Sequence, residues 1–212
     1  KEGCIRVQGV TSLYGTEMLI PADRIVTGTY LCAAAASRGS VTVENAPEGE
    51  MEAFLEVYRK MGGQCHRIGG KLIVNGKNAG FPLELLETDV YPGFPTDLQS
   101  PAMAVLVTIP GVSRIREKIF EDRYKLASWL CYMGAKIEIR DGMAVVHGGY
   151  PLRGCIVEAE ELRGGAALVI AALAAEGVTR IRGCSFIERG YEHICEDLTA
   201  LGGLLIKDRG TL

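Results

Sequence analysis

The sequence predicts an α+β fold made of three βαβαββ repeats with approximate threefold symmetry, held in one domain. Three observations predict it. A glycine step follows an apolar run at Gly39, Gly111 and Gly177, in "SRGSVTVENA", "TIPGVSRIREKIF" and "AEGVTRIRGCSFI", at intervals of 72 and 66 residues. A stretch that is apolar on almost every side precedes each step. An amphipathic stretch ended by glycine follows each one.

The first repeat covers about residues 10–78. A strand is expected in "LYGTEMLIPADR", spanning Gly15 to Arg24. The run "TGTYLCAAAAS" follows as a helix, and a helix without a polar face belongs inside. A strand starts after Gly39, and the amphipathic "AFLEVYRKMGG" ends at Gly62, placed as a C-terminal cap. "QCHRIGGKLIVNG" then alternates around Gly69-Gly70, which marks a hairpin.

The second repeat, about 79–148, has "SPAMAVLVT" as its inner helix, a strand after Gly111 and "LASWLCYMGA" as its outer helix, capped by Gly134. Its hairpin, "AKIEIRDGMAVVHG", turns at Asp141-Gly142. The third repeat, about 149–212, opens with "LRGCIVEAEELR", where Gly154 to Arg163 matches Gly15 to Arg24. "GGAALVIAALAAE" is its inner helix and "ICEDLTALGG", capped by Gly202, its outer one. The copy stops at "LLIKDRGTL", so its hairpin is expected to be incomplete. Three sheets wrapped around three inner helices follow from this order. No Pro/Ser/Gly linker or charge block marks a second domain.

Composition narrows the partners. With 212 residues, 48% of them hydrophobic, and mean hydropathy +0.15, the chain buries a real core. Its 26 acidic residues outnumber 23 basic ones, so there is no electrostatic case for nucleic acid or an anionic membrane. Small-molecule ligands are the expected partners. The longest apolar run, Ala166 to Ala175, is shorter than the roughly 20 residues that span a bilayer. No signal-peptide pattern opens the chain, and a cytoplasmic location is expected. Seven scattered cysteines form no C-x-x-C pair and are read as reduced thiols. His66, His147 and His193 are isolated, so neither metal nor cofactor is expected.

The repeat also aligns candidate site residues. Asp97 lies 14 residues before Gly111, and Arg163 lies 14 before Gly177, each at the start of an inner helix. Arg123 and Arg189 each follow their glycine by 12 residues, near the start of the outer helices. Helix starts favour anions, and converging arginines suit a ligand with more than one phosphate or carboxylate. The competing expectation pairs Arg123 and Arg189 with Glu121, Asp122, Glu188 or Glu192 on the surface. Locally, Thr96 and Gln99 fit a capping box that would make Asp97 the first helical residue; alternatively Ser100 caps and Pro101 starts the helix.

"PADRIVTGTYLCAAAASRG", "FPTDLQSP", "IFEDRY", "ELRGGAALVIAALAAEG" and "IERGYEHICEDLTALGG" occur in this order along essentially the whole chain. Together they resemble the C-terminal half of the UDP-N-acetylglucosamine 1-carboxyvinyltransferases, a bacterial enolpyruvyl transferase family of peptidoglycan synthesis. The resemblance implies an inside-out α/β barrel of two similar domains with the active site between them. It implies transfer of the enolpyruvyl group of phosphoenolpyruvate to the 3′-hydroxyl of UDP-N-acetylglucosamine, releasing phosphate.

By the same resemblance, Asp97 is the general base for the sugar hydroxyl, and the backbone of Ile119 holds the UDP-sugar. Arg123, Arg163 and Arg189 line the cleft, the last two toward phosphoenolpyruvate. Two positions depart from the family pattern: Asp122 stands where Asn is usual, and Glu161 where Asp is common. The family's other domain brings a lysine-asparagine pair, further arginines and a loop cysteine that none of these seven cysteines matches. The chain is therefore expected to be one domain that needs its companion to turn over. The alternatives are the shikimate-pathway enolpyruvyl transferase and an inactive binding module of the same fold.

Overall fold

The computed structural model describes residues 4–47, 49–121 and 123–207. Helix α1 (Arg24–Ala36) starts at Asp23, whose Oδ1 accepts from the backbone N–H groups of Ile25 and Val26 at 2.6 and 3.1 Å. Strand β1 (Ser40–Glu44), helix α2 (Glu52–Lys60) and the hairpin β2 (Gln64–Ile68) and β3 (Lys71–Asn75) complete the first repeat. The second runs β4 (Leu86–Glu87), a 3₁₀ turn at Thr96–Leu98, α3 (Gln99–Leu106), β5 (Gly111–Arg116), α4 (Leu126–Tyr132), β6 (Lys136–Arg140) and β7 (Met143–Gly148). The third runs β8 (Ile156–Glu158), α5 (Leu162–Leu173), β9 (Arg180–Arg182), α6 (Cys184–Glu188) and α7 (Ile194–Ala200).

The strands form three sheets, ordered β1-β3-β2, β4-β5-β7-β6 and β8-β9. Helices α1, α3 and α5 pack against one another inside them, as their all-apolar sequences require. Every residue of α3 is buried, as are ten of the thirteen in α1 and eight of the twelve in α5. The outer helices bury only one stripe: Phe54, Leu55 and Tyr58 on α2, Leu126, Ala127 and Leu130 on α4, and Ile194 and Leu198 on α7.

The repeat is visible at the level of single hydrogen bonds. Gly62, Gly134 and Gly202 end the outer helices at φ 95, 108 and 100°, where a side chain would be strained. Each gives its N–H to the carbonyl three residues back, and the next residue gives its own to the carbonyl five back. Both hairpins turn on two residues of positive φ, Gly69-Gly70 and Asp141-Gly142, matching the twist of the flanking strands.

The expected strand between Gly15 and Arg24 does not form. Residues 4–22 carry no helix or strand, and Met18, Leu19 and Ile20 are exposed. In the other two repeats the corresponding strand, β4 or β8, pairs in parallel with β5 or β9 and buries Leu86 or Val157. The first repeat lacks that pairing, and an apolar alternation without a partner strand is not a strand. After α7 the described residues contain no hairpin. Helix α6 was not expected, being only five residues long.

Candidate active site

The capping expectations for Asp97 fail in an informative way. Thr96–Leu98 is a 3₁₀ turn, α3 follows from Gln99, and neither has a side-chain cap. Thr96 is not available to cap because its hydroxyl is used elsewhere, and Gln99 is fully buried with its Oε1 taken by Ser100. Leu98 anchors the turn on α1, where it lies so close to Gly28 that a Cβ there would come within 2.5 Å of it. Asp97 is thereby held at the edge of the inner helices with its carboxylate 40% exposed.

Two arginines from different repeats meet on that carboxylate. Arg123 donates from Nη2 to Oδ1 at 2.7 Å, and Arg163 from Nη2 to Oδ2 at 3.3 Å. Both guanidiniums are mostly buried, at 15% and 14% exposed, so the ion pairs are shielded from solvent. Arg123 also lies over the Phe120 ring, 4.9 Å from its centre, and donates from Nη1 to Thr96 Oγ1 at 2.8 Å.

Arg163 sits in the first turn of α5, which is capped by Glu161: its carboxylate accepts from the N–H groups of Arg163 and Gly164. The longer side chain at 161 thus still does the work of a cap. Arg163 Nη1 donates to the Tyr191 hydroxyl at 3.1 Å. That hydroxyl contacts Thr29 Oγ1 at 2.8 Å, and since Thr29 gives its own proton to Ile25 O, Tyr191 is the donor. Burial raises the pKa of Tyr191, and the neighbouring Arg163 charge pulls the other way.

Sequence reasoning missed Glu117. This buried carboxylate just past β5 accepts four hydrogen bonds: Oε1 from Thr88 Oγ1 (2.8 Å), Ile119 N (2.8 Å) and Phe120 N (3.2 Å), and Oε2 from Thr96 Oγ1 (2.9 Å). Its own N–H goes to the Tyr124 hydroxyl at 2.8 Å. A signal existed. Alternation along β5 puts Ser113, Ile115 and then Glu117 on the buried face, and a carboxylate there needs a set of donors.

Asp97 faces two clefts. One, of about 250 Å³, is lined with Phe120, Arg123, Lys125, Leu126 and Glu161; the other, of about 260 Å³, includes Arg24, Tyr91, Thr96 and Ile119. Ile119 is therefore at the site, with its N–H engaged by Glu117. Arg189 is not joined to the pair. It is exposed, and its side chain makes no hydrogen bond or ion pair with a described residue, although its neighbour Gly190 packs on Leu162 beside Arg163. Among the described residues the competing surface pairings with Glu121, Glu188 and Glu192 are not seen: Arg123 pairs with Asp97, and Glu188 with Lys207. Asp122 lies outside the described residues. Among the described residues no cluster of three His, Cys, Asp or Glu side chains could hold a metal ion, and no helix is long and apolar enough to cross a membrane.

A carboxylate bridging two arginines between two clefts, on inner helices ringed by repeated sheets, belongs to a recognisable class of fold. The backbone matches the crystal structure of the enolpyruvyl transferase NikO from Streptomyces tendae with a TM-score of 0.77 over 86% of this chain and 43% of that one, at 24% identity. EPSP synthase from Acinetobacter baumannii matches at TM-score 0.59 over 77% of this chain and 39% of that one, at 19% identity. The fold is that of the enolpyruvyl transferases. The family model for EPSP synthase (3-phosphoshikimate 1-carboxyvinyltransferase) matches residues 1–198, and the chain belongs to this family.

Its curated relatives include proteins named UDP-N-acetylglucosamine 1-carboxyvinyltransferase. That of Desulfofundulus thermocisternus is 43% identical over 199 residues, covering 93% of this chain and 82% of the relative. Those of Thermus thermophilus and Desulfovibrio desulfuricans are 42% and 38% identical over 93% and 97% of this chain. The chain spans about half the length of these two, 46% and 49%.

Proposed function

We propose that this chain is one domain of a UDP-N-acetylglucosamine 1-carboxyvinyltransferase, acting in the cytoplasm in peptidoglycan synthesis. The observation that carries the reading is Asp97, shared between Arg123 and Arg163 where two clefts meet. The names of the relatives favour the UDP-sugar over a shikimate acceptor.

In this reading the UDP-sugar lies along the cleft of Ile119 and Thr96, with its 3′-hydroxyl at Asp97. Asp97 takes the hydroxyl proton as the sugar oxygen bonds to C2 of phosphoenolpyruvate, and the C2–C3 double bond opens as C3 takes up a proton of solvent origin. The resulting tetrahedral adduct then loses phosphate from C2 and a proton from C3, which restores the double bond. Arg123 and Arg163 hold the phosphate and carboxylate charges, since guanidinium grips such groups with two parallel hydrogen bonds. Until substrate arrives, Asp97 occupies those arginines itself. Arg189, exposed one residue from the packing contact with Leu162, completes the anion side when phosphoenolpyruvate and the companion domain close over it. Turnover needs that companion domain, because half of the charged groups around the transferred unit come from it.

Binding of the acceptor tests the reading directly. Millimolar UDP-N-acetylglucosamine is expected to shift the NMR signals of Asp97 and Ile119 in this chain. No shift at either residue contradicts the half-site, and binding of shikimate 3-phosphate in its place favours the other enolpyruvyl transferase.

A further inference from the structure

We propose that Glu117 is a positioning residue, whose carboxylate fixes the Thr96 hydroxyl as the acceptor for Arg123 and anchors the Ile119 backbone to the same point. Only the choice of ligand in the test below rests on the transferase reading.

A threonine hydroxyl has one proton and two lone pairs. Glu117 Oε2 stands 2.9 Å from Thr96 Oγ1, and an ionised carboxylate can only accept, so the proton is committed there. The lone pairs of Thr96 are then left for Arg123 Nη1 at 2.8 Å, a group that can only donate. The guanidinium is thus steered from both ends, by Thr96 through Nη1 and by Asp97 through Nη2. The other carboxylate oxygen takes the N–H groups of Ile119 and Phe120 and the hydroxyl of Thr88, which in turn accepts from Lys118 N at 2.9 Å. One buried group therefore joins the end of the β4 strand, the 3₁₀ turn carrying Asp97, and the loop carrying Ile119 and the Phe120 ring beneath Arg123.

Replacing one carboxylate oxygen by an amide breaks this chain whichever way the amide lies. An NH₂ facing Thr96 takes one of the hydroxyl's lone pairs while Arg123 takes the other, so that the Thr96 proton loses its acceptor. An NH₂ facing the loop meets the N–H groups of Ile119 and Phe120. Either clash leaves a buried donor unpaired.

The test uses this chain with labelled arginine side chains, UDP-N-acetylglucosamine as probe, and a set of variants. Thr96→Val, which removes only the hydroxyl, is expected to shift the Arg123 side-chain N–H signals and weaken UDP-N-acetylglucosamine binding about tenfold, the scale of one hydrogen bond to a charged group. Thr96→Ser, which keeps the hydroxyl, restores both. Glu117→Gln is expected to match Thr96→Val, and the double variant to be no worse than either single change, because both break the same link. Arg123 signals and affinity unchanged in Thr96→Val, or losses that multiply in the double variant, overturn the proposal. Should Glu117→Gln fail to fold, the Val and Ser pair at Thr96 decides the matter. If the unmodified chain does not bind UDP-N-acetylglucosamine, the transferase reading fails, while the Arg123 signals still decide the positioning claim.

Discussion

Arg163 is held by two oxygens with different tasks: Asp97, which a ligand can displace, and Tyr191, which it cannot reach without disturbing Thr29 inside the fold. Removing the Tyr191 hydroxyl should therefore loosen the arginine and cost stability. Tyr191→Phe is expected to destabilise the chain by about 1–2 kcal/mol, measured by denaturant unfolding, because Arg163 Nη1 is left short of an acceptor. A pH effect accompanies it. Burial raises the Tyr191 pKa in the folded chain, so the stability from the neutral hydroxyl is complete below about pH 10, the unfolded value, and is lost as pH rises through the higher folded value. The Phe variant should lack that part of the alkaline decline.

At the same scale, the sequence disclosed the charged actors but not what holds them. Asp97, Arg123 and Arg163 stood out because equal offsets from repeated glycines placed them at helix starts. Glu117, Thr88, Thr96 and Tyr191 are ordinary residues whose roles depend on which segments meet, and that is settled only by tertiary packing. Arg189 shares its offset with Arg123 but not its surroundings. Arg123 finds Thr96, Asp97 and Phe120, whereas Arg189 follows the short helix α6 and faces solvent.

Among the elements, the hairpins return to the inner helices at two equivalent glycines. A Cβ on Gly76 would come within 2.4 Å of Ala34 O at the end of α1, and one on Gly148 within 2.2 Å of Leu106 O at the end of α3. Neither contact can yield without moving helix backbone. Gly76→Ala and Gly148→Ala are each expected to cost about 1–3 kcal/mol in thermal or denaturant unfolding. Gly15→Ala, in open space, should stay within about 0.5 kcal/mol of the parent. Equal stability across all three would contradict the close sheet-to-helix packing. The same contacts explain why helices and hairpins were legible: glycine is needed where backbones touch or turn, so it recurs with the fold. The strand expected at Gly15–Arg24 was not legible, since β4 and β8 exist by virtue of their parallel partners and an alternating sequence cannot announce a missing one.

For the whole molecule, three all-apolar helices enclosed by three sheets make the core, and the site sits on its rim where the second and third repeats meet. Side chains from both repeats are needed: Asp97 and Arg123 from one, Arg163 and Tyr191 from the other. The rim is also rich in exposed apolar groups, among them Val90, Tyr91, Ile119 and Phe120. A cleft of this kind suits closure by a second domain. Joined to that companion, the chain should release phosphate from phosphoenolpyruvate in the presence of UDP-N-acetylglucosamine. The most direct measurement is this phosphate release in the Asp97→Ala variant of the joined protein, with unfolding followed in parallel. Turnover is expected to fall by about 10²-fold or more with folding intact, the scale of a lost general base. Turnover close to that of the unmodified protein would contradict that role of Asp97.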